Sequence, residues 1–339
     1  MKSPSTVNPS QPKAQARTAV APSLSVVGEA RELLRKYLPT TRLISACGLT
    51  HHTGGRVYLK LESELPTASF KPRGALYALA TNLKRRKVRE VIASSTGNHG
   101  AAVAYAAKQL GVPATIFLPE NANPVKREKI GEQGARLVER GRDLAEVLEY
   151  ASKYASSEEN IYFLNDATDP DLPVGPATIA CEIIEQLPQT DTIFVPIGDT
   201  ALIRGVAAAA KQLSPTISMI GVQAERAPAY CLAWKQGRVV NTETCDTIAD
   251  GLATRTTDER NVAAIRDLVD DVQLVSDEQM LDAIRFLWFH EQVMAEPAGA
   301  ATTAAILANS RAGGTVVALM TGSNITAVDA LIVRAKRRQ

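Results

Sequence analysis

Short apolar runs and longer amphipathic stretches alternate along most of this chain. Runs rich in Val, Ile and Leu at 57–61, 91–94, 114–118, 192–197, 217–223 and 315–320 have the length and β-branched content of buried strands. Between them, 98–110, 124–133, 143–154, 175–187, 201–213, 277–290 and 297–308 place apolar residues at helical spacing. This alternation predicts an α/β fold with open, mostly parallel sheets and helices on both faces. In such sheets ligands bind beyond the carboxyl ends of the strands. Three of those ends carry small polar residues or glycine, at 94–97, 198–201 and 321–324, and the pattern predicts that they converge on one site. No G-x-G-x-x-G follows a strand, so a dinucleotide-binding unit is unsupported.

Composition narrows the class. A chain of 339 residues with 45% apolar content can build two domains or one large α/β unit. Aromatics are sparse, so Ala and Val do much of the filling, as suits helices on a parallel sheet. The net charge of +2 gives no argument for nucleic acid or a membrane surface, and no apolar run approaches membrane-spanning length. The basic run Lys84-Arg85-Arg86-Lys87 reads as a solvated helix end. Cys47, Cys181, Cys231 and Cys245 form no C-x-x-C pair, which argues against a disulfide framework or zinc site and fits a reducing, cytoplasmic setting. His51, His52 and His290 give no metal spacing. Residues 1–22 hold no acid and read as a flexible tail; an acid-poor basic N-terminus is also the composition of an organelle transit peptide.

The most informative stretch is Ala68-Ser69-Phe70-Lys71-Pro72-Arg73-Gly74, which sets a lysine between an aromatic ring and a proline. Pro72 suits the first position of a helix, and Leu76, Leu79 and Leu83 continue at helical spacing. Lys71 would then cap that helix, where burial and the helix dipole both disfavour an ammonium. A lysine so placed can form a Schiff base. An ordinary lysine lying along Phe70 has the same local sequence.

The wider chain changes the weight of that reading. Leu59-Lys60-Leu61-Glu62, leading to Ser69-Phe70-Lys71-Pro72-Arg73-Gly74-Ala75, resembles the cofactor-lysine motif of fold-type II pyridoxal-phosphate enzymes. The similarity is closest to the threonine and serine dehydratase branch, which contains the serine racemases. Ser94-Ser95-Thr96-Gly97-Asn98-His99-Gly100 resembles that family's substrate loop, and the likeness runs from about residue 39 to the C-terminus. The resemblance implies a two-domain, tryptophan synthase β-like fold. A small substrate-loop domain at 88–165 would be inserted into a large cofactor domain made of 23–87 and 166–339.

It also implies a site. Lys71, beside Phe70, would hold pyridoxal 5'-phosphate as an imine and later remove the substrate α-proton. Ser95, Thr96, Gly97, Asn98 and His99 would bind the substrate, its carboxylate resting on a helix N-terminus. The Asn98 amide would lie against the cofactor's phenolic oxygen. Simple capping by Thr96 or Asn98 is the competing reading of this loop, and His99 is open between substrate contact and capping. Gly198-Asp199-Thr200-Ala201-Leu202 stands where the family has a run of glycines that cradles phosphate. Asp199 must point away from a phosphate, or else cap the helix itself and occupy its donors. Thr321 in Thr321-Gly322-Ser323-Asn324 matches the family's hydroxyl beside the pyridine nitrogen. Glu296-Pro297-Ala298-Gly299-Ala300 is similar to a stretch near the cofactor ring, and equally to an ordinary helix entry. Asp250-Gly251-Leu252-Ala253 resembles a supporting turn.

Two departures matter. Metal-binding members carry acids where this chain has Gln223 and Ala229, so no metal is expected, with Glu225 nearby. The racemase branch has a serine where Thr96 stands, whose methyl restricts its rotamers and so makes racemisation the lesser expectation. The activity implied is therefore β-elimination from a small hydroxy amino acid such as threonine or serine, giving a 2-oxo acid and ammonia. Thr96 is a second catalytic candidate beside Lys71. Other fold-type II chemistry (threonine synthase, β-replacement, racemase) and a non-catalytic binding protein with an altered phosphate loop are the alternatives. With only a short segment after Thr321, a C-terminal regulatory domain and amino-acid allostery of that kind are not expected. The expected partners are a small amino acid and, by family, a second copy in a homodimer, with no nucleic acid and no membrane.

Overall fold

Strands form where the apolar runs lie, and helices fill the intervals. The computed structural model describes residues 21–122, 124–308 and 313–325. The expected tail therefore lies outside the described residues except for Ala21 and Pro22. The strands are β1 (Leu43–Ser45), β2 (Arg56–Leu61), β3 (Glu90–Ser94), β4 (Ala114–Leu118), β5 (Arg136–Glu139), β6 (Ile161–Phe163), β7 (Thr192–Pro196), β8 (Ser218–Ala224), β9 (Asp271–Val275) and β10 (Thr315–Met320). The helices are α1 (Leu24–Leu34), α2 (Cys47–Thr53), α3 (Lys71–Arg85), α4 (Asn98–Leu110), α5 (Pro124–Gly131), α6 (Leu144–Ser157), α7 (Val174–Gln186), α8 (Ala201–Leu213), α9 (Ala229–Gln236), α10 (Glu259–Leu268), α11 (Asp277–Phe286) and α12 (Pro297–Ala308). Among the described residues no helix is long and apolar enough to cross a membrane.

Two sheets result. The larger has the order β1-β2-β10-β7-β8-β9, the smaller β5-β4-β3-β6. Every pairing is parallel except β1 with β2. The four strands that the apolar pattern does not announce, β1, β5, β6 and β9, are the four sheet edges. Edge strands keep one side open and so lack the continuous apolar run that marks a central parallel strand. The expected helix at 277–290 also ends early: α11 stops at Phe286 and passes into a π-helical turn, Leu287–Glu291.

The larger sheet is covered on both faces. Ala298, Ala300, Ala301, Ala304, Ala305 and Ile306 of α12 join α11 and strands β10, β7 and β8 in one core. Helices α7, α8, α9 and α10 cover the opposite face. Small residues on α12, α7 and α8 allow close backbone approach. A Cβ on Gly175 would collide with the backbone of Arg73 and Gly74, so α7 touches the first turn of α3 backbone to backbone. That contact fixes the start of the helix that carries Lys71.

Behind the same turn lies a buried ionic cluster. Arg73 Nε reaches Glu62 Oε2 at 2.7 Å and Nη1 reaches Glu182 Oε1 at 2.6 Å. Lys60 Nζ donates to Glu182 Oε2 at 2.6 Å, and Thr41 Oγ1 to Glu62 Oε1 at 2.7 Å. Arg73 is 2% exposed, and Glu62 and Lys60 are fully buried. Two cations face two carboxylates, which is the condition under which buried charge is tolerated.

Candidate active site

The loops after β2, β3, β6, β7 and β10 meet, as the convergence of strand ends requires. The segment before α3 is stitched to the segment after β10. Phe70 N–H donates to Thr321 O at 3.0 Å, Ser323 N–H donates to Ala68 O at 3.0 Å, and Ser69 bridges Gly322. Ala68 makes the required bend with φ 53°, in the left-handed region. Lys71 is the first helical residue rather than the cap, a correction to the sequence expectation; half-buried Phe70 takes the cap position and Pro72 follows within the first turn. Lys71 Nζ lies 5.3 Å from the Phe70 ring centroid.

Sequence reasoning named helix dipole and burial as the influences expected on Lys71. It missed a carboxylate. Asp166, on the loop after β6, pairs directly with Lys71 Nζ through Oδ2. Burial pushes the Asp166 carboxyl up, but the charges of Lys71 and then His99 outweigh it and hold it down at about 2. No local signal marks Asp166 in the sequence, because its partner is far away in the chain.

The substrate-loop residues sit together at the head of α4. Gly97 is the N-cap and no side chain caps the helix. Gly97 N–H donates to Ser95 Oγ at 3.2 Å. Thr96 is half-buried in the same loop. The capping reading of Thr96 and Asn98 is thus not what their side chains do, and the first-turn amides remain available to an anion. Asn98 Nδ2 donates to Glu296 Oε1 at 2.7 Å, and Asn98 Oδ1 accepts from Asn324 Nδ2 at 2.7 Å. Asn324 also donates its backbone N–H to Glu296 Oε2 at 3.2 Å. Both polar ends of the Asn98 amide are therefore fixed. Asn324 lay within a quoted motif but was not singled out as a site residue. His99 is buried, with Nε2 at 2.9 Å from Leu164 O and Nδ1 at 3.6 Å from Asp166 Oδ1. It neither caps α4 nor stands apart from the lysine, since it reaches Lys71 through Asp166.

The remaining loop heads α8. Gly198 has no alternative, because a Cβ there would collide with Gly251 O in the turn Asp250–Leu252. Asp199 accepts from Thr254 Oγ1 at 3.3 Å and does not cap the helix. Burial pushes its carboxyl up, and the charge of Asp166 adds to that. Thr200 takes φ 68°, ψ −11°, a left-handed conformation unusual for a β-branched residue and natural for glycine. Its Oγ1 accepts from Arg204 Nε at 3.0 Å. Arg204, only 8% exposed, was also missed. Ala201 and Leu202 begin α8, and no side chain of the N-cap residue occupies their amides. Open amides at a helix N-terminus, a glycine that must stay bare and a buried guanidinium behind the loop make a donor set that fits a phosphate group. Thr321 is buried after β10, and Gln223 is buried with Oε1 accepting Cys231 N–H at 2.8 Å.

Solved structures and curated proteins share this fold and much of this sequence. The family model described as "Pyridoxal-phosphate dependent enzyme" matches residues 34–322. An L-threonine ammonia-lyase of Thermotoga maritima is 35% identical over 89% of this chain and 76% of its own length. A solved T.th. threonine deaminase superposes with a TM-score of 0.84 at 32% identity, covering 90% of this chain and 99% of that one. Maize serine racemase superposes with a TM-score of 0.87 at 29% identity, covering 93% and 97%.

Proposed function

Because the chain belongs to the family of pyridoxal-phosphate dependent enzymes, we propose that it is an ammonia-lyase that eliminates the β-hydroxyl of a small amino acid, with threonine or serine as the default substrate. The names carried by its relatives point the same way, being L-threonine ammonia-lyase and threonine deaminase. The observation that carries the reading is the joining of distant motifs around Lys71: Phe70 bonded to Thr321, and Asn98 to Glu296.

Bound pyridoxal phosphate supplies an electron sink for negative charge at the substrate α-carbon. Lys71 would be the residue that holds the cofactor, and its amine is the base that would take the α-proton. The open amides at the head of α4, with the hydroxyls of Ser95 and Thr96, hold the substrate carboxylate. Asn98, clamped by Glu296 and Asn324, is assigned to the phenolic oxygen. The neutral hydroxyl of Thr321 would face the pyridine nitrogen and, being uncharged, would leave the electron sink moderate. Gly198, Asp199, Thr200, Ala201 and Leu202 hold the phosphate, with the Asp199 carboxylate turned to Thr254. A cytoplasmic setting, which four free cysteines fit, and a homodimer are part of the same proposal.

Borohydride reduction of the coloured protein, followed by peptide mass spectrometry, should place the cofactor on Lys71. A panel of hydroxy amino acids should yield 2-oxo acid and ammonia in equal amounts. Absence of oxo acid from every member of the panel would sink the lyase reading.

A further inference from the structure

Asp166 has no part in the activity as described, yet it is the group in direct contact with Lys71. Its other oxygen lies 3.6 Å from His99 Nδ1. His99 Nε2 sits on Leu164 O at 2.9 Å, and a carbonyl only accepts, so the neutral ring carries its proton on Nε2. Nδ1 is therefore the ring nitrogen that faces Asp166 Oδ1. Three titratable groups therefore face Asp166: Lys71 of α3, His99 of α4 and Asp199 of the loop after β7. Burial and the neighbouring Asp166 charge push the Asp199 carboxyl up, whereas Lys71 and His99 hold Asp166 down.

A lysine nitrogen adds to an aldehyde through its lone pair. Of the three protons on an ammonium, one must leave before addition. The other two depart with the carbonyl oxygen as water, the C=N bond replacing the C=O bond. A carboxylate paired with the ammonium holds the first proton in place. That proton leaves to solvent once the pair opens.

We propose that Asp166 is a positioning residue for Lys71, clamping the free lysine so that the ion pair must open before the aldehyde of pyridoxal phosphate is captured. The inference rests on Lys71 being the cofactor lysine. It sets the rate and pH dependence of cofactor loading, which is separate from turnover of the loaded enzyme.

The test is a stopped-flow measurement of imine absorbance when pyridoxal phosphate is mixed with the cofactor-free protein, from mildly acid to mildly alkaline pH. Asp166→Asn should load about tenfold faster at neutral pH, the factor that corresponds to loss of one charge-assisted hydrogen bond. Its rate profile should also move to lower pH. Asp166→Glu, which keeps the carboxylate, should restore the wild-type profile, a rescue that a merely structural role would not require. Asp166→Ser is read in the same way should the Asn variant fail to fold. An unchanged rate and profile in the Asn or Ser variant overturns the proposal. Lys71→Ala separates the two readings: an imine band persisting in that variant removes Lys71 as the anchor and the clamp with it, whereas a colourless variant leaves the clamp to be decided by Asp166 alone.

Discussion

Asn98 Nδ2 donates to Glu296 Oε1 at 2.7 Å, joining the head of α4 to the entry of α12 across 198 positions of sequence. Asn324 holds the opposite end of the same amide. The side chain thus has one orientation, nitrogen toward the carboxylate. Glu296→Ala should free it to rotate. The expected result is weaker cofactor binding and a displaced imine absorbance, read by spectroscopic titration, with Glu296→Gln closer to wild type because it keeps an acceptor oxygen. An unaltered spectrum in Glu296→Ala would separate Asn98 from the cofactor.

The Arg73 cluster should dominate stability. Arg73→Leu leaves Glu62 and Glu182 buried without their shared cation, which costs about 3–5 kcal/mol when one partner of a buried pair is removed. Arg73→Lys should recover only part of this, since an ammonium cannot form the same fork of bonds. Denaturant unfolding monitored by circular dichroism measures both.

The same cluster predicts an acid limb. Burial pushes the Glu182 carboxyl up, but Arg73 and then Lys60 hold it below its ordinary 4.5. Asp166 is likewise lowered, from 3.8 to about 2. Both are carboxyls whose folded value lies below the unfolded one. Their contribution is complete above about 4.5 and is lost as pH falls from there toward about 2. Unfolding free energy measured against pH should decline across that window, and Asp166→Asn should flatten its lower part.

Gly198→Ala places a Cβ against Gly251 O, backbone that cannot give way cheaply. The expected cost is about 1–3 kcal/mol, as for overpacking elsewhere, together with loss of pyridoxal phosphate. Thermal unfolding and the visible absorbance of the purified variant test the two effects separately.

Arg204 puts a buried cation behind a loop that contains the Asp199 carboxylate. Burial works against its charge, while Tyr230, Asp258 and Asp199 favour it. Arg204→Gln should weaken pyridoxal phosphate about fivefold or more and leave pyridoxal, which lacks the phosphate, nearly unaffected. Equal effects on both ligands would place Arg204 outside the phosphate subsite.

The central strands and the long helices were readable because burial on both faces writes a contiguous apolar run. The edges β1, β5, β6 and β9 were not, since an edge needs no such run. The motifs around Lys71, Gly97, Gly198 and Thr321 were likewise readable as short contiguous spacings. Glu296 could be read either as a helix entry or as a ring neighbour until its carboxylate was seen on Asn98.

By itself the sequence determined the strands that carry the site, the lysine and the loops that ring it, because each is encoded within a few neighbouring residues. Only the tertiary structure decided what those groups face. Asp166 meets Lys71 from 95 positions away and Asn324 meets Asn98 from 226. The partner of the lysine and the angle of the amide are set by such contacts. No local pattern records them, because they exist only once the sheets have brought distant strand ends together.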